Sequence, residues 1–306
     1  MSAFRGSKFN DLPTAHNTFQ SNSQYNSNQS SSSGAGAIKS FQEFSKKVEE
    51  VLDHPQIKRI SPYVPQIGRF LIVATFYEDS LRILSQWGDQ VYYLWNYRHI
   101  PYYLVVLLLL LVVATMLVSS TLIVARKFQL YASVSLITII IVQGFMYGLF
   151  TTSTTFILRN MSLVGGLLIG FSDTLVAQKN SFAGLPEISS NNKYKGYVLL
   201  AGRIMLVFMF FTFAATKSWL TIAIVSIGIF AIAFGFKTKF ASVCLIAVLM
   251  VYNFSSNSYW SSSLSEAKSD YLKYEFFQTL SIVGGLLLVV NTGAGELSLD
   301  EKKKIY

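Results

Sequence analysis

Four residues in one otherwise apolar stretch carry the chemistry open to this 306-residue chain: Tyr77, Glu78, Asp79 and Arg82. They fall ten to fifteen residues into a helical segment that starts near Ile67. An ionisable side chain at that depth in hydrocarbon costs roughly 2.5–3.5 kcal/mol, so it turns toward protein or trapped water. Glu78 and Arg82 stand four apart, share one helix face and can pair. Two readings stay open from these residues alone: an ion pair that holds a bundle together, or acids that line a water-filled cavity. A second set closes the chain, Lys302-Lys303-Lys304-Ile305-Tyr306. Lysines three and four positions from a free carboxyl end match the dilysine address that COPI coatomer reads, a sorting code rather than an anchor. A basic cluster obeying the positive-inside rule uses the same residues. Other reactive types are sparse. Cys244 stands alone, His16, His54 and His99 are scattered, and no nucleotide-binding loop occurs. These residues predict no metal site, no cofactor and no enzyme.

The elements that must position these residues are membrane helices. Half the chain, 52%, is apolar, only 13% is charged, and the mean hydropathy is +0.42, which separates it from soluble chains of this length. The run Tyr102–Ala125 has 24 residues without a charge, enough to cross a hydrocarbon core of roughly 30 Å. Eight apolar segments are expected, near 66–87, 101–126, 129–151, 156–175, 197–216, 218–236, 239–254 and 271–291, in an all-α polytopic membrane protein. Because the first, fourth and eighth carry charges and the seventh is short, six or seven spans also fit.

Before them lie a Ser/Asn/Gln-rich tail, 1–37, expected to be disordered, and an amphipathic helix with its linker, 38–65. In that stretch Ile38, Phe41, Phe44, Val48 and Val51 recur three or four apart, until Pro55, Pro62 and Pro65 close it.

An internal repeat organises the rest. Gly68-Arg69-Phe70-Leu71-Ile72-Val73 matches Gly202-Arg203-Ile204-Met205-Leu206-Val207, and Ser162-Leu163-Val164-Gly165-Gly166-Leu167-Leu168 matches Ser281-Ile282-Val283-Gly284-Gly285-Leu286-Leu287. Two tandem four-helix units, 66–175 and 197–291, joined by a linker at 176–196, account for both. An even number of spans per unit gives the halves one orientation. The paired glycines would let helix backbones approach closely. Arg69 and Arg203 begin equivalent helices and are expected to snorkel to the membrane edge. Asp173 is expected to end the fourth helix. With eight spans, seventeen lysines and arginines fall on the side of the termini and four on the other, so both termini and the tail 292–306 should face the cytosol. The charge of +9 then speaks for anionic lipid and against nucleic acid. Trp87, Trp95, Trp219 and Trp260 all fall on the opposite, lumenal side. They would serve either as interfacial anchors or as rigid apolar contacts for a partner. Residues 255–270, with Glu266 and Asp270, form the longest loop on that side and could act as a lid or contact surface.

Three stretches carry a family likeness. Phe70-Leu71-Ile72-Val73-Ala74-Thr75-Phe76-Tyr77-Glu78-Asp79-Ser80-Leu81-Arg82-Ile83, the two Gly-Gly-Leu-Leu segments, and the end from Asn291-Thr292-Gly293-Ala294-Gly295-Glu296 to Lys304 resemble the surfeit locus protein 4 family. The likeness runs from about residue 40 to the C-terminus, and the second half also looks like the four-helix DoxX-like membrane fold. The resemblance implies a receptor cycling between endoplasmic reticulum and Golgi. It would bind soluble secretory cargo in the lumen through exposed N-terminal or propeptide segments, enter vesicles with the COPII coat, and return with COPI coatomer through Lys302, Lys303 and Lys304. On that reading Glu78 and Asp79, with Tyr77 and Arg82 beside them, would line a lumen-open cavity and hold the α-amino group of a cargo, and Trp87, Trp95, Trp219 and Trp260 would be lumenal cargo contacts. Membrane lipids are the other expected partners, and self-association is compatible with it. A transporter of lipid or small solute, or a DoxX-like membrane oxidoreductase subunit, are the competing readings, since a fold does not fix a function.

Overall fold

The computed structural model describes residues 61–181, 189–214, 219–261 and 265–293, together with Glu43, Lys47, Gly295 and Ser298. Met1–Lys47 and Val48–Tyr306 are separate compact units. In the first, Glu43 and Lys47 are helical and exposed. The rest of the expected amphipathic stretch up to residue 60, the polar tail 1–37 and Lys302, Lys303 and Lys304 lie outside the described residues.

Every regular element described in the second unit is helical. A single 3-10 turn, Ser61–Tyr63, leads into α1, Val64–Ser85. Then follow α2, Trp87–Tyr92, continued by a π-helical turn at Tyr93–Tyr97; α3, Tyr102–Val124; α4, Gln129–Met146; the short α5, Leu149–Thr152; and α6, Thr154–Ser181. The remaining helices are α7, Ser189–Ala214; α8, Trp219–Phe234; α9, Thr238–Ser256; and α10, Glu266–Thr292. Over their described residues, the eight apolar segments read from the sequence are largely helical, the third interrupted at Tyr147 and Gly148. Among the described residues, five are long and apolar enough to cross a membrane: Tyr102–Val124, Gln129–Met146, Thr154–Ser172, Thr238–Ser256 and Glu266–Thr292. Arg69, Glu78, Asp79 and Arg82 make α1 too charged to stand among them.

Local chemistry sets the helix ends. Pro65 sits in the first turn of α1, where its missing N–H would have had no helical partner. Pro101 takes the N-cap of α3. Because α3 is apolar all round, periodicity does not choose its inner face; packing does. Val105, Leu109, Val112, Met116 and Ile123 are buried, while Leu107, Leu110, Leu111 and Val118 are more than half exposed, the pattern of a helix with one face toward hydrocarbon.

In three places the fold departs from expectation. Asp173 does not end the fourth helix: α6 continues to Ser181 and α7 begins at Ser189, so helix enters the stretch read as the linker 176–196. Residues 88–97, which the expected segments 66–87 and 101–126 leave between them, are helical because Val91 and Leu94, three apart, bury themselves against the core beside a half-buried Trp87. Arg69 and Arg203 do not snorkel; both are fully buried, because the helices that carry them sit inside the bundle, each flanked on one side by a glycine contact.

Those contacts recur. A Cβ on Gly284 of α10 would lie 2.6 Å from Gly68 O and 2.7 Å from Ile72 N on α1. A Cβ on Gly165 of α6 would lie 2.6 Å from Gly202 O and 2.6 Å from Leu206 N on α7. The partners correspond position for position with the repeated strings. The turns after α3 and α8 match as well. Lys127 N–H donates to Leu122 O and Arg126 N–H to Ile123 O, while Phe236 N–H donates to Ala231 O and Gly235 N–H to Ile232 O. Both are Schellman closures on a left-handed residue, Arg126 (φ 58°) and Gly235 (φ 74°).

Backbone atoms cannot step aside for a new Cβ as a side-chain tip can. Gly284→Ala and Gly165→Ala should therefore each cost about 1–3 kcal/mol of overpacking. Gly166→Ala meets its nearest atom only at 3.8 Å and should be tolerated. Thermal melting of the detergent-solubilised protein distinguishes the three.

Candidate functional site

At the end of the bundle where α1 finishes and α10 begins, a cavity of about 880 Å³ is enclosed by α1, α3, α4, α6 and α10, with α2 across it. This volume falls within the usual range for ligand sites, roughly 300–1,000 Å³. The deep part is apolar, with Phe76, Ile83, Met116, Ile140, Phe156 and Leu163. Thr75 is the first residue of α1 to reach it. Toward the end of the bundle the lining becomes polar and aromatic, with Gln86, Asp89, Gln90, Tyr93, Tyr147, Asp270 and Tyr274 among its members.

Hydrogen bonds hold this lining in place. Asp79 is fully engaged: Arg82 bonds its Oδ1, and Gln143 Nε2 donates to its Oδ2 at 2.6 Å. The Arg82 guanidinium also lies 5.7 Å from the centre of the Tyr274 ring, within cation–π range. Arg159 of α6 reaches Glu275 of α10 at 2.7 Å, and Tyr271 Oη donates to the same carboxylate at 2.5 Å. α2 is tied down twice. Tyr147 Oη donates to Gln90 Oε1 at 2.6 Å, and the Tyr93 and Tyr147 rings stack at 5.9 Å. Gln86 Nε2 donates to Asp270 Oδ2, linking the end of α1 to the start of α10. Arg98 donates from Nε to Met146 O at 2.9 Å, so a cation sits on the exposed carbonyls of the α4 C-terminus.

The charges do not cancel. Five ionisable side chains other than tyrosine line the cavity: Asp79, Asp89 and Asp270 against Arg82 and Arg159. Arg82 is matched by Asp79 and Arg159 by Glu275. Among the described residues no cation pairs with Asp89, which is exposed, or with Asp270, which is half-buried. Two carboxylates therefore remain at the cavity's outer end, where they favour a cationic group.

Of the residues singled out in the sequence, Asp79 and Arg82 line this cavity and Glu78 and Tyr77 do not. Glu78 is 3% exposed and stands 3.8 Å from Arg82 Nε. Tyr77 packs partly buried against the core, its ring 6.5 Å from Phe70. Trp87, Trp95 and Trp260 are not among the lining residues either. Trp95 and Trp260 are about half exposed; Trp95 meets Tyr102 edge-on, and Trp260 packs with Phe254, Tyr259 and Phe276. Trp219 opens α8, and its side chain is outside the described set. Sequence reasoning missed Asp89, Gln143, Tyr147 and the Arg159–Glu275 pair. The pair left a signal, Arg159 and Glu275 each standing near the start of an apolar segment already marked as carrying charge; Gln143 and Tyr147 left none.

Residues 42–306 match the model of the SURF4 family. The chain is 48% identical over 313 residues to the ER-derived vesicles protein ERV29 of Saccharomyces cerevisiae, covering 99% of this chain and 100% of that protein. It is 48% identical over 254 residues to the Surfeit locus protein 4 homolog of Schizosaccharomyces pombe, covering 80% and 83%. To the Surfeit locus protein 4 homolog of Drosophila melanogaster it is 35% identical over 266 residues, covering 86% and 97%. No solved structure matches.

Proposed function

The chain belongs to the SURF4 family, and from that premise we propose that it is a receptor carrying soluble secretory proteins out of the endoplasmic reticulum in vesicles. A role in vesicle transport is supported by relatives as similar as the ER-derived vesicles protein of yeast. In the finer reading, cargo is bound in the lumen, the loaded receptor leaves with the COPII coat, and Lys302, Lys303 and Lys304 return it through COPI coatomer. Eight spans in two tandem four-helix repeats, with both termini cytosolic, serve this scheme. The matched contacts of Gly284 and Gly165 and the matched turns after α3 and α8 support it.

The observation that carries the reading is the cavity, with its apolar depth and surplus carboxylates at the outer end. That arrangement suits the free N-terminus of a cargo chain. The α-amino group would rest on Asp89 and Asp270, and the first apolar side chains would pass toward Phe76 and Met116. Asp79, occupied on both oxygens, shapes the wall instead. A solute path through the bundle is less well served, because no α1 residue before Thr75 reaches the cavity.

Two measurements test this function. In a budding reaction from membranes lacking the chain, a defined set of soluble secretory proteins should be missing from the vesicles; no selective loss would refute the receptor. With purified receptor, a peptide copying the N-terminus of one such protein should bind roughly 10- to 100-fold more tightly free than acetylated, the equivalent of losing one or so charge-assisted hydrogen bonds. Equal binding would remove the amino group from the recognised feature.

A further inference from the structure

Along the axis of the bundle the cavity wall is charged in layers. Asp89 and Asp270 form the outermost layer and have no paired cation among the described residues. Tyr274 stands one helical turn, about 6 Å, farther along α10 than Asp270, and the Arg82 guanidinium lies over its ring. Glu275, the next residue, holds Arg159 at 2.7 Å. Two guanidiniums therefore make a second layer, roughly 6–8 Å inside the carboxylates. Beyond it the wall is hydrocarbon. Phe76 is six residues before Arg82 on α1 and Leu163 is four residues past Arg159 on α6, which sets them roughly 6–9 Å deeper again.

The rim of the cavity sits at the level where a membrane span begins. Tyr93 and Tyr97 line the cavity and are exposed. Between them in sequence, Trp95 meets Tyr102, the first residue of the 23-residue apolar helix α3. Tyrosine and tryptophan collect at the level of lipid headgroups. An apolar depth opening there does not fill with water, and left empty its lining forfeits packing contacts. The medium around the bundle supplies what fits, since lipid tails are as apolar as leucine.

We propose that the cavity holds one phospholipid of the ethanolamine class. Its ammonium rests on Asp89 and Asp270, its phosphate faces Arg82 and Arg159, and its acyl chains point toward Phe76 and Leu163. That molecule carries a cation outermost, then an anion, then hydrocarbon, the complement of the wall layer by layer. Each guanidinium has five N–H donors, more than the carboxylate already beside it can accept. A primary ammonium is also the group that a cargo N-terminus would present, so lipid and cargo compete for the same two carboxylates. This competition rests on the cargo reading given above; the lipid occupancy does not. Cargo entry would expel the lipid, and cargo release would let the bilayer refill the site.

The test uses the full chain in detergent micelles doped with equal amounts of palmitoyl-oleoyl phosphatidylethanolamine and phosphatidylglycerol, read by native mass spectrometry. The ethanolamine lipid should be retained as a single adduct roughly tenfold more than the glycerol lipid, whose headgroup has no cation for the outer carboxylates. Asp89→Asn combined with Asp270→Asn should erase that preference. Met116→Trp, or Leu163→Phe on the facing wall, fills the depth and should lower retention of both lipids several-fold. Equal retention by the wild-type chain, or a preference that survives the asparagine pair, overturns the proposal and leaves surrounding lipid only. A peptide copying a cargo N-terminus is added last and should displace the ethanolamine lipid. A peptide that binds without displacing it overturns the shared site. A peptide that does not bind, with the headgroup preference intact, overturns the cargo reading and leaves the lipid site standing.

Discussion

Replacing Arg159 by methionine is expected to lower the melting temperature of the solubilised chain by on the order of 10 °C, the consequence of about 3–5 kcal/mol lost when one member of a buried ion pair is removed. The side chains of Arg159 and Glu275 are 15% and 10% exposed. Without the guanidinium, the Glu275 carboxylate keeps only the Tyr271 hydroxyl among its described partners. The cost therefore comes mostly from the charge left behind. Adding Glu275→Leu to Arg159→Met should recover most of the loss, because a well-filled apolar pair of similar volume is often as stable as the ion pair it replaces. A double variant that melts no higher than the single one would mean that Arg159 works through other contacts, such as its approach to Gln278 at 3.5 Å. The pair joins α6 to α10 and so sets the width of one cavity wall.

The second large effect is expected at the cavity's outer end. Asp89→Lys combined with Asp270→Lys should reduce capture of a peptide with a free amino terminus by on the order of 100-fold or more, since two attractive carboxylates become two repelling cations. Abundance of the chain should stay near normal, because Asp89 is exposed and Asp270 is bonded only to Gln86 among the described residues. Glu78→Gln should leave capture almost unchanged, as that side chain is outside the cavity lining. Asp79→Asn should act differently again, weakening the hold on Arg82 and lowering abundance before it affects binding. If Glu78→Gln abolishes capture while the lysine pair does not, the amino-group site has been assigned to the wrong carboxylates.

Helix geometry explains why the sequence pointed to Glu78 and Asp79 together. Adjacent residues on an α-helix are turned by about 100°, so a narrow cavity takes one of them and the bundle takes the other. Which one depends on α4, because Gln143 answers Asp79, and no feature of the α4 sequence distinguishes Gln143 from an ordinary polar residue in a membrane helix. Tryptophans drew attention through their size and one-sided placement, yet the aromatic rings that line the cavity are tyrosines and two phenylalanines brought in by α1, α2 and its π-helical continuation, the end of α4, α6 and α10. Their convergence is a product of tertiary packing. The glycine strings were legible for the opposite reason. Gly68, Gly165, Gly202 and Gly284 sit where backbone meets backbone, and that demand restricts the residue type in each chain segment on its own. Arg69 and Arg203 misled because a cation beside an apolar run normally reaches for water, and only the neighbouring helices reveal that these two are enclosed.

The amide of Thr75 donates to the Ser281 hydroxyl across 206 residues of chain, which places the first long helix against the last. At a synthesis rate of about 5–20 residues per second, the ribosome finishes α1 roughly 10–40 s before the matching part of α10 exists. During that interval α1 must persist without its principal neighbour. The Asp79–Arg82 contact lies within α1 and requires no later partner, so the newborn helix carries two of its charges already neutralised by each other.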